Sequence, residues 1–174
     1  MVTGLNMAAV RALDRAPRWT LVPLRLYLGT AFLRAALNKV GENWRPWPGW
    51  MAGVIQDRLP HSVPLYREFL SAVVLPHVAF FAPAVACAEV TIGCCLVLGL
   101  ATRAAAVGGI LLTLNYLLMN GVMVLLPHND PLYALGSNDP VFVLGCLAVA
   151  VGAAGRALGL DQLLHRRFPH SVLS

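Results

Sequence analysis

Three cations, Arg25, Arg34 and Lys39, lie within the apolar segment 21–40, which reads LVPLRLYLGTAFLRAALNKV. A charge at the centre of a bilayer costs at least about 2.5–3.5 kcal/mol on insertion scales. Each therefore needs a partner, an aqueous exit or a chemical task. The groups that could answer them sit in two later apolar segments: Glu89 in one, Asn115 and Tyr116 in the next. A buried carboxylate beside cations, a carboxamide and a phenol can bind a quinone head group, hold a proton or bind a small anion. The same groups can also serve as a polar pin between helices. Glu89, Arg34 and Arg25 are the candidate catalytic residues, and Asn115, Tyr116 and Lys39 the candidate ligand-binding ones.

Spacing decides which groups can meet. At 100° per residue, Arg25, Gly29, Phe32, Ala36 and Lys39 fall within about 80° of one another, and Arg34 points the opposite way. The small residues on that stripe permit close helix approach. Glu89, Gly93 and Leu96 form a matching stripe, continued by Arg103. At 1.5 Å per residue, Arg25 lies ~9 Å from the cytoplasmic end, Arg34 ~22 Å, Lys39 ~30 Å, and Glu89 and Asn115 ~18 Å. By depth Arg34 is the better partner for Glu89, and by stripe Arg25 is; the sequence leaves the choice open. Lys39 is expected to snorkel to the outer surface without a partner.

The elements that must carry these residues are membrane helices. Apolar residues make up 58% of the chain and charged residues 12%, against roughly 25% charged in ordinary soluble domains. The apolar blocks are long enough to cross a ~30 Å hydrocarbon core. They predict spans at about 19–40, 77–101, 104–126 and 141–160, so residues 1–174 form one all-α, integral membrane four-helix bundle. No small-residue cleavage site follows the charged N-terminal stretch, and the first span is expected to be retained. Arg11, Arg15, Arg18, Arg103, Arg156, Arg166 and Arg167 fall on one side. That bias places both termini in the cytoplasm. The net charge of +5 is thus a topology signal, and no basic patch of the nucleic-acid-binding kind is present.

A long outer loop, 41–76, joins the first two spans and is broken by Pro46, Pro48, Pro60, Pro64 and Pro76. Trp44, Trp47 and Trp50 read as an interfacial aromatic belt. From 64 to 75, Leu65, Tyr66, Phe69, Leu70, Val73 and Val74 recur at helical spacing and predict a short interfacial helix, either a cap over a site or a lipid anchor. The stretch 127–140 reads as an irregular loop, and the basic tail after Leu160 as lying near anionic lipid. Cys87, Cys94, Cys95 and Cys146 fall inside spans without a CxxC motif and read as small apolar residues rather than a disulfide framework. His77 and His128 lie at span ends without a further carboxylate, so neither a metal nor a haem site is predicted.

Arg25, Gly29, Phe32, Ala36 and Lys39, then Glu89, Gly93, Leu96 and the turn Gly99, Leu100, Thr102, Arg103, followed by an Ala-rich helix, resemble the DoxX family and its DoxD-like branch. The ending Gly155, Arg156, Gly159, Leu160, Asp161 fits the same pattern. Ala36, where glycine is usual, and Arg34 depart from it. The resemblance implies a four-helix protein of the bacterial cytoplasmic (inner) membrane, of the type that forms the membrane subunit of thiosulfate:quinone oxidoreductase. Quinone is the implied cofactor, and the implied partners are the lipid bilayer and other membrane subunits. The alternative is a non-catalytic accessory subunit of a larger respiratory or photosynthetic complex; a small-anion permease ranks behind both.

Overall fold

The computed structural model describes residues 18–40, 47–120, 139–152 and 159–161. Among these all regular structure is helical: α1 (Val22–Val40, entered through a 3-10 turn), α2 (Trp47–Arg58), α3 (Pro64–Phe69), α4 (Val78–Leu98), α5 (Thr102–Asn120) and α6 (Asp139–Val151). A π-helical stretch, Leu70–Val74, extends α3.

Two helices, α4 with 21 residues and α5 with 19, are long and apolar enough to cross a membrane. The 19 residues of α1 match α5 in length but include three cations, and α6 spans 13 described residues. The remainder of the third and fourth expected spans, the 127–138 loop, the tail after Asp161, Trp44 and His128 lie outside the described residues.

α1 packs on α4, α4 on α5, α5 on α6, and α6 back on α1. The core between them is built from Leu28, Phe32, Ile92, Leu96, Ala105, Ala106, Cys146 and Val149. The α1–α4 crossing explains the small-residue stripe. A Cβ at Gly29 would meet the Gly93 carbonyl oxygen and the Val97 nitrogen at 3.0 Å, and one at Gly93 would meet the Gly29 carbonyl oxygen at 2.9 Å. Backbone thus lies against backbone, and any side chain there would force the helices apart.

α4 ends in a left-handed glycine, Gly99 (φ 65°). Leu100 N–H bonds to the Cys95 carbonyl at 2.9 Å and Gly99 N–H to that of Leu96 at 3.3 Å, a Schellman closure that satisfies carbonyls the helix leaves unpaired. The chain then reverses into α5 within three residues.

Between α1 and α4 the described residues, from 47 on, are mostly helical. The second half of this segment contains the expected short helix, and 47–58 forms a further helix that the reading of 41–76 as a proline-broken loop did not include. Pro48 lies in its first turn, where a missing N–H costs no hydrogen bond. Ile55, 2% exposed, joins Leu70 and Val74 in a second core with Met51, Leu59, Tyr66, Phe81 and Met119. Burial there outweighs the weak helix propensity of Gly49 and Gly53, where an added Cβ would meet no described atom within 4 Å.

This cap is fastened to the end of α5. Ser62 Oγ donates to the Met119 carbonyl at 2.7 Å, and Val63 N–H to that of Leu118 at 3.1 Å. Both carbonyls belong to the last described turn of α5. Arg67 Nη2 then ties the cap together by donating to the carbonyls of Pro60 and Ser62.

Candidate functional site: a buried ion pair beneath the cap

Lys39, Glu89 and Tyr116 come together at the cap end of the helices. Lys39 Nζ is ion-paired with Glu89 Oε1. The Tyr116 hydroxyl donates to the same oxygen at 2.7 Å, and Lys39 Nζ donates to the Tyr116 hydroxyl oxygen at 3.1 Å. The ammonium also lies 5.3 Å from the Tyr116 ring centroid, within range of a cation–π attraction. The Glu89 side chain is 1% exposed and that of Lys39 17%. Glu89 Oε2 is buried with no hydrogen-bond partner among the described residues. It is an acceptor left unused by the described residues.

Glu89 therefore pairs with Lys39, and with neither Arg25 nor Arg34. The antiparallel register of α1 and α4 gives the reason. Arg25 lies under Gly99, ten residues from Glu89 and so ~15 Å along the helix; it has the right face but the wrong depth. Arg34 is close in depth but turned away, exposed and without a hydrogen bond or ion pair to any described residue. Lys39 shares the face of Arg25 and starts a little beyond Glu89. Helical side chains lean toward their own N-termini, so Lys39 reaches back and Glu89 reaches forward until they meet. The same lean corrects the expectation that Lys39 snorkels outward unpartnered.

A cavity of about 330 Å³ lies between this cluster and the cap. Its walls are mostly apolar, with Ile55, Leu70, Phe81, Leu112 and Met119 among them, and Lys39, Tyr66, Asn115 and Tyr116 supply the polar groups. Asn115 does not touch Glu89. It accepts a 2.8 Å hydrogen bond from the Tyr66 hydroxyl at Oδ1 and donates from Nδ2 to the Leu111 carbonyl at 2.6 Å. Tyr66 was legible as part of an amphipathic helix but not as a wall of the site. Burial raises its phenol pKa above the ordinary value. Trp50 (56% exposed) and Phe69 (42%) border the cavity, so its rim is apolar.

Arg25 belongs to a second polar centre, at the opposite end of α1. Asp161, fully buried, accepts hydrogen bonds from the Ala101 and Thr102 backbone N–H groups at 2.7 and 2.9 Å, and its own N–H donates to the Gly99 carbonyl at 2.8 Å. It caps the N-terminus of α5 from 59 residues away, and its charge acts on Arg25. Arg25 and Glu89 thus serve separate centres.

Buried charges organised between helices, two of which are long and apolar enough to cross a membrane, suggest a membrane protein. The DoxX family model matches residues 20–121, from the start of α1 to the end of α5, and the chain belongs to the DoxX family. Lys39, Glu89, Asn115, Tyr116 and the whole cap fall inside the match, while α6 and Asp161 lie beyond it. No curated protein and no solved structure matches the chain.

Proposed function

We propose that this chain is a four-span protein of a bacterial cytoplasmic membrane, with both termini cytoplasmic. In this reading it is the DoxD-like, quinone-linked membrane subunit of an oxidoreductase of the thiosulfate:quinone type. α1 and α6 are read as spans because they complete the ring begun by α4 and α5. Arg103, in the first turn of α5, marks the cytoplasmic side by the positive-inside rule, which puts the cap on the outer face.

The observation that carries the quinone reading is the cavity. It is at the small end of the ~300–1,000 Å³ range of ligand sites, apolar enough for a ring and the start of a tail, and bordered by Trp50 and Phe69. The residues present fit such a head group: Lys39 and Asn115 would donate to its carbonyl oxygens, and Tyr116 would pack beside it. A bound quinone supplies an acceptor for an electron pair. The chain's own part is to orient the ring, exclude water beneath the cap and hold a proton at Glu89.

Thiosulfate-dependent quinone reduction by membranes containing the protein tests the reading. Activity should appear with the wild type and fall at least about tenfold in Glu89→Gln, the lower end of what a positioned proton-transfer group contributes. Full activity in Glu89→Gln would remove the proposed role of the site. Activity that requires another co-purifying polypeptide and is indifferent to Glu89 would select the accessory-subunit reading.

A further inference from the structure

We propose that the cavity under the cap selects a ligand with a neutral, acceptor-bearing head and rejects anionic ones, because Glu89 cancels the charge of Lys39. This rests on the reading of the cavity as a ligand site and assigns its chemical selectivity. It also places the sulfur oxyanion of the proposed reaction outside this cavity.

A lysine at the wall of an apolar cavity would ordinarily be read as an anion site. Here the ammonium is ion-paired with a carboxylate that is 1% exposed. An anion entering the cavity would meet a pair of zero net charge and would lose its hydration without a compensating cation, a cost that binding cannot recover.

Hydrogen-bond accounting gives the other half. An ammonium has three protons, and Lys39 directs two of them to Glu89 and Tyr116. One donor remains. Asn115 likewise uses one carboxamide proton on Leu111, and its oxygen is taken by Tyr66. One N–H remains there as well. Two residual donors among the described residues, in an apolar chamber whose walls do not include Glu89, favour acceptors without charge, such as the carbonyl oxygens of a ring.

The test is calorimetric titration of the protein in phosphatidylcholine nanodiscs with two probes, a benzoquinone carrying a decyl tail and dodecanoate at mildly alkaline pH, each corrected against empty nanodiscs. The wild type should prefer the quinone by at least about tenfold. Glu89→Gln leaves Lys39 uncompensated and should shift the ratio toward the carboxylate by about tenfold or more. The double variant Lys39→Met/Glu89→Gln, which has no net charge, should restore the preference for the neutral head.

Equal affinity of the wild type for both probes would overturn the proposal even if Glu89→Gln fails to fold. An unchanged ratio in a folded Glu89→Gln would overturn it too. Binding of neither probe by the wild type would overturn both this selectivity and the reading of the cavity as a ligand site. A neutral-head preference without thiosulfate-dependent quinone reduction would uphold the selectivity and remove the redox role.

Discussion

Replacing Lys39 by methionine keeps the length of the side chain and removes its charge. The buried Glu89 then keeps only the Tyr116 hydroxyl as a donor among the described residues. Breaking a buried pair by removing one partner costs about 3–5 kcal/mol, because the other charge stays behind uncompensated. The reverse change, Glu89→Gln, should be milder. Lys39 is 17% exposed against 1% for Glu89, so a freed ammonium at the cavity wall can still be hydrated, while the introduced carboxamide retains an acceptor for Tyr116. The loss there should be about 1–2 kcal/mol. At about 2–4 °C per kcal/mol for a chain of this size, Lys39→Met lowers the melting temperature by about 6–20 °C and Glu89→Gln by about 2–8 °C. The double variant should lose less than the sum of the two single losses, by a coupling energy of about 1–3 kcal/mol. Thermal unfolding of the four proteins in one detergent reads all of this. A Glu89→Gln variant less stable than Lys39→Met, or simply additive losses, would refute the reasoning from burial.

Gly93→Ala places a Cβ 2.9 Å from the Gly29 carbonyl oxygen and 2.7 Å from Leu33 Cγ; it should destabilise the α1–α4 crossing by about 1–3 kcal/mol, seen as an earlier melt. Gly53→Ala, with nothing within 4 Å, should instead be neutral to stabilising by up to about 1 kcal/mol in the same assay. Asp161→Ala removes both caps on the α5 N-terminus and should cost about 0.5–2 kcal/mol, with faster amide exchange at Ala101 and Thr102 as the local signature. Tyr66 is half-buried and its pKa raised by that burial, so its phenol should ionise above the ordinary value of about 10. The stability it contributes is fully present below that value and is lost as pH rises through the higher folded pKa. An ultraviolet phenolate titration of wild type against Tyr66→Phe measures this, and a component lost in the variant that titrates at or below the ordinary value would contradict it.

Much of the helix packing was legible because helical periodicity constrains azimuth directly. The stripe of Arg25, Gly29, Phe32, Ala36 and Lys39 is the face that α1 buries, and Glu89, Gly93 and Leu96 form the face that answers it. Pairing was less legible, because it depends on the register between two helices. Counting from the assumed span ends placed Lys39 too far from Glu89, and side-chain lean removed most of that distance. The helix Trp47–Arg58 was hidden by Pro48, Gly49 and Gly53, residues that break helices in isolation but here lie in a first turn or on an open face. The role of Asp161 was not readable, since its hydrogen-bond partners are about sixty residues earlier and no local pattern links them. Tyr66 was visible as an apolar position with a polar tip, which is also what a wall residue looks like before the opposite wall is known.

On the proposed reading, the chamber between the Lys39–Glu89–Tyr116 cluster and the cap receives a quinone head. Photocrosslinking with a diazirine-bearing quinone analogue in nanodiscs, followed by peptide mapping, tests it most directly. Adducts should concentrate on the cavity residues Trp50, Met51, Phe69 and Met119 and be displaced by excess unlabelled quinone. Labelling that spreads along exposed faces such as Leu111, Leu144 and Val151, with no displaceable fraction on the cavity residues, would contradict the account.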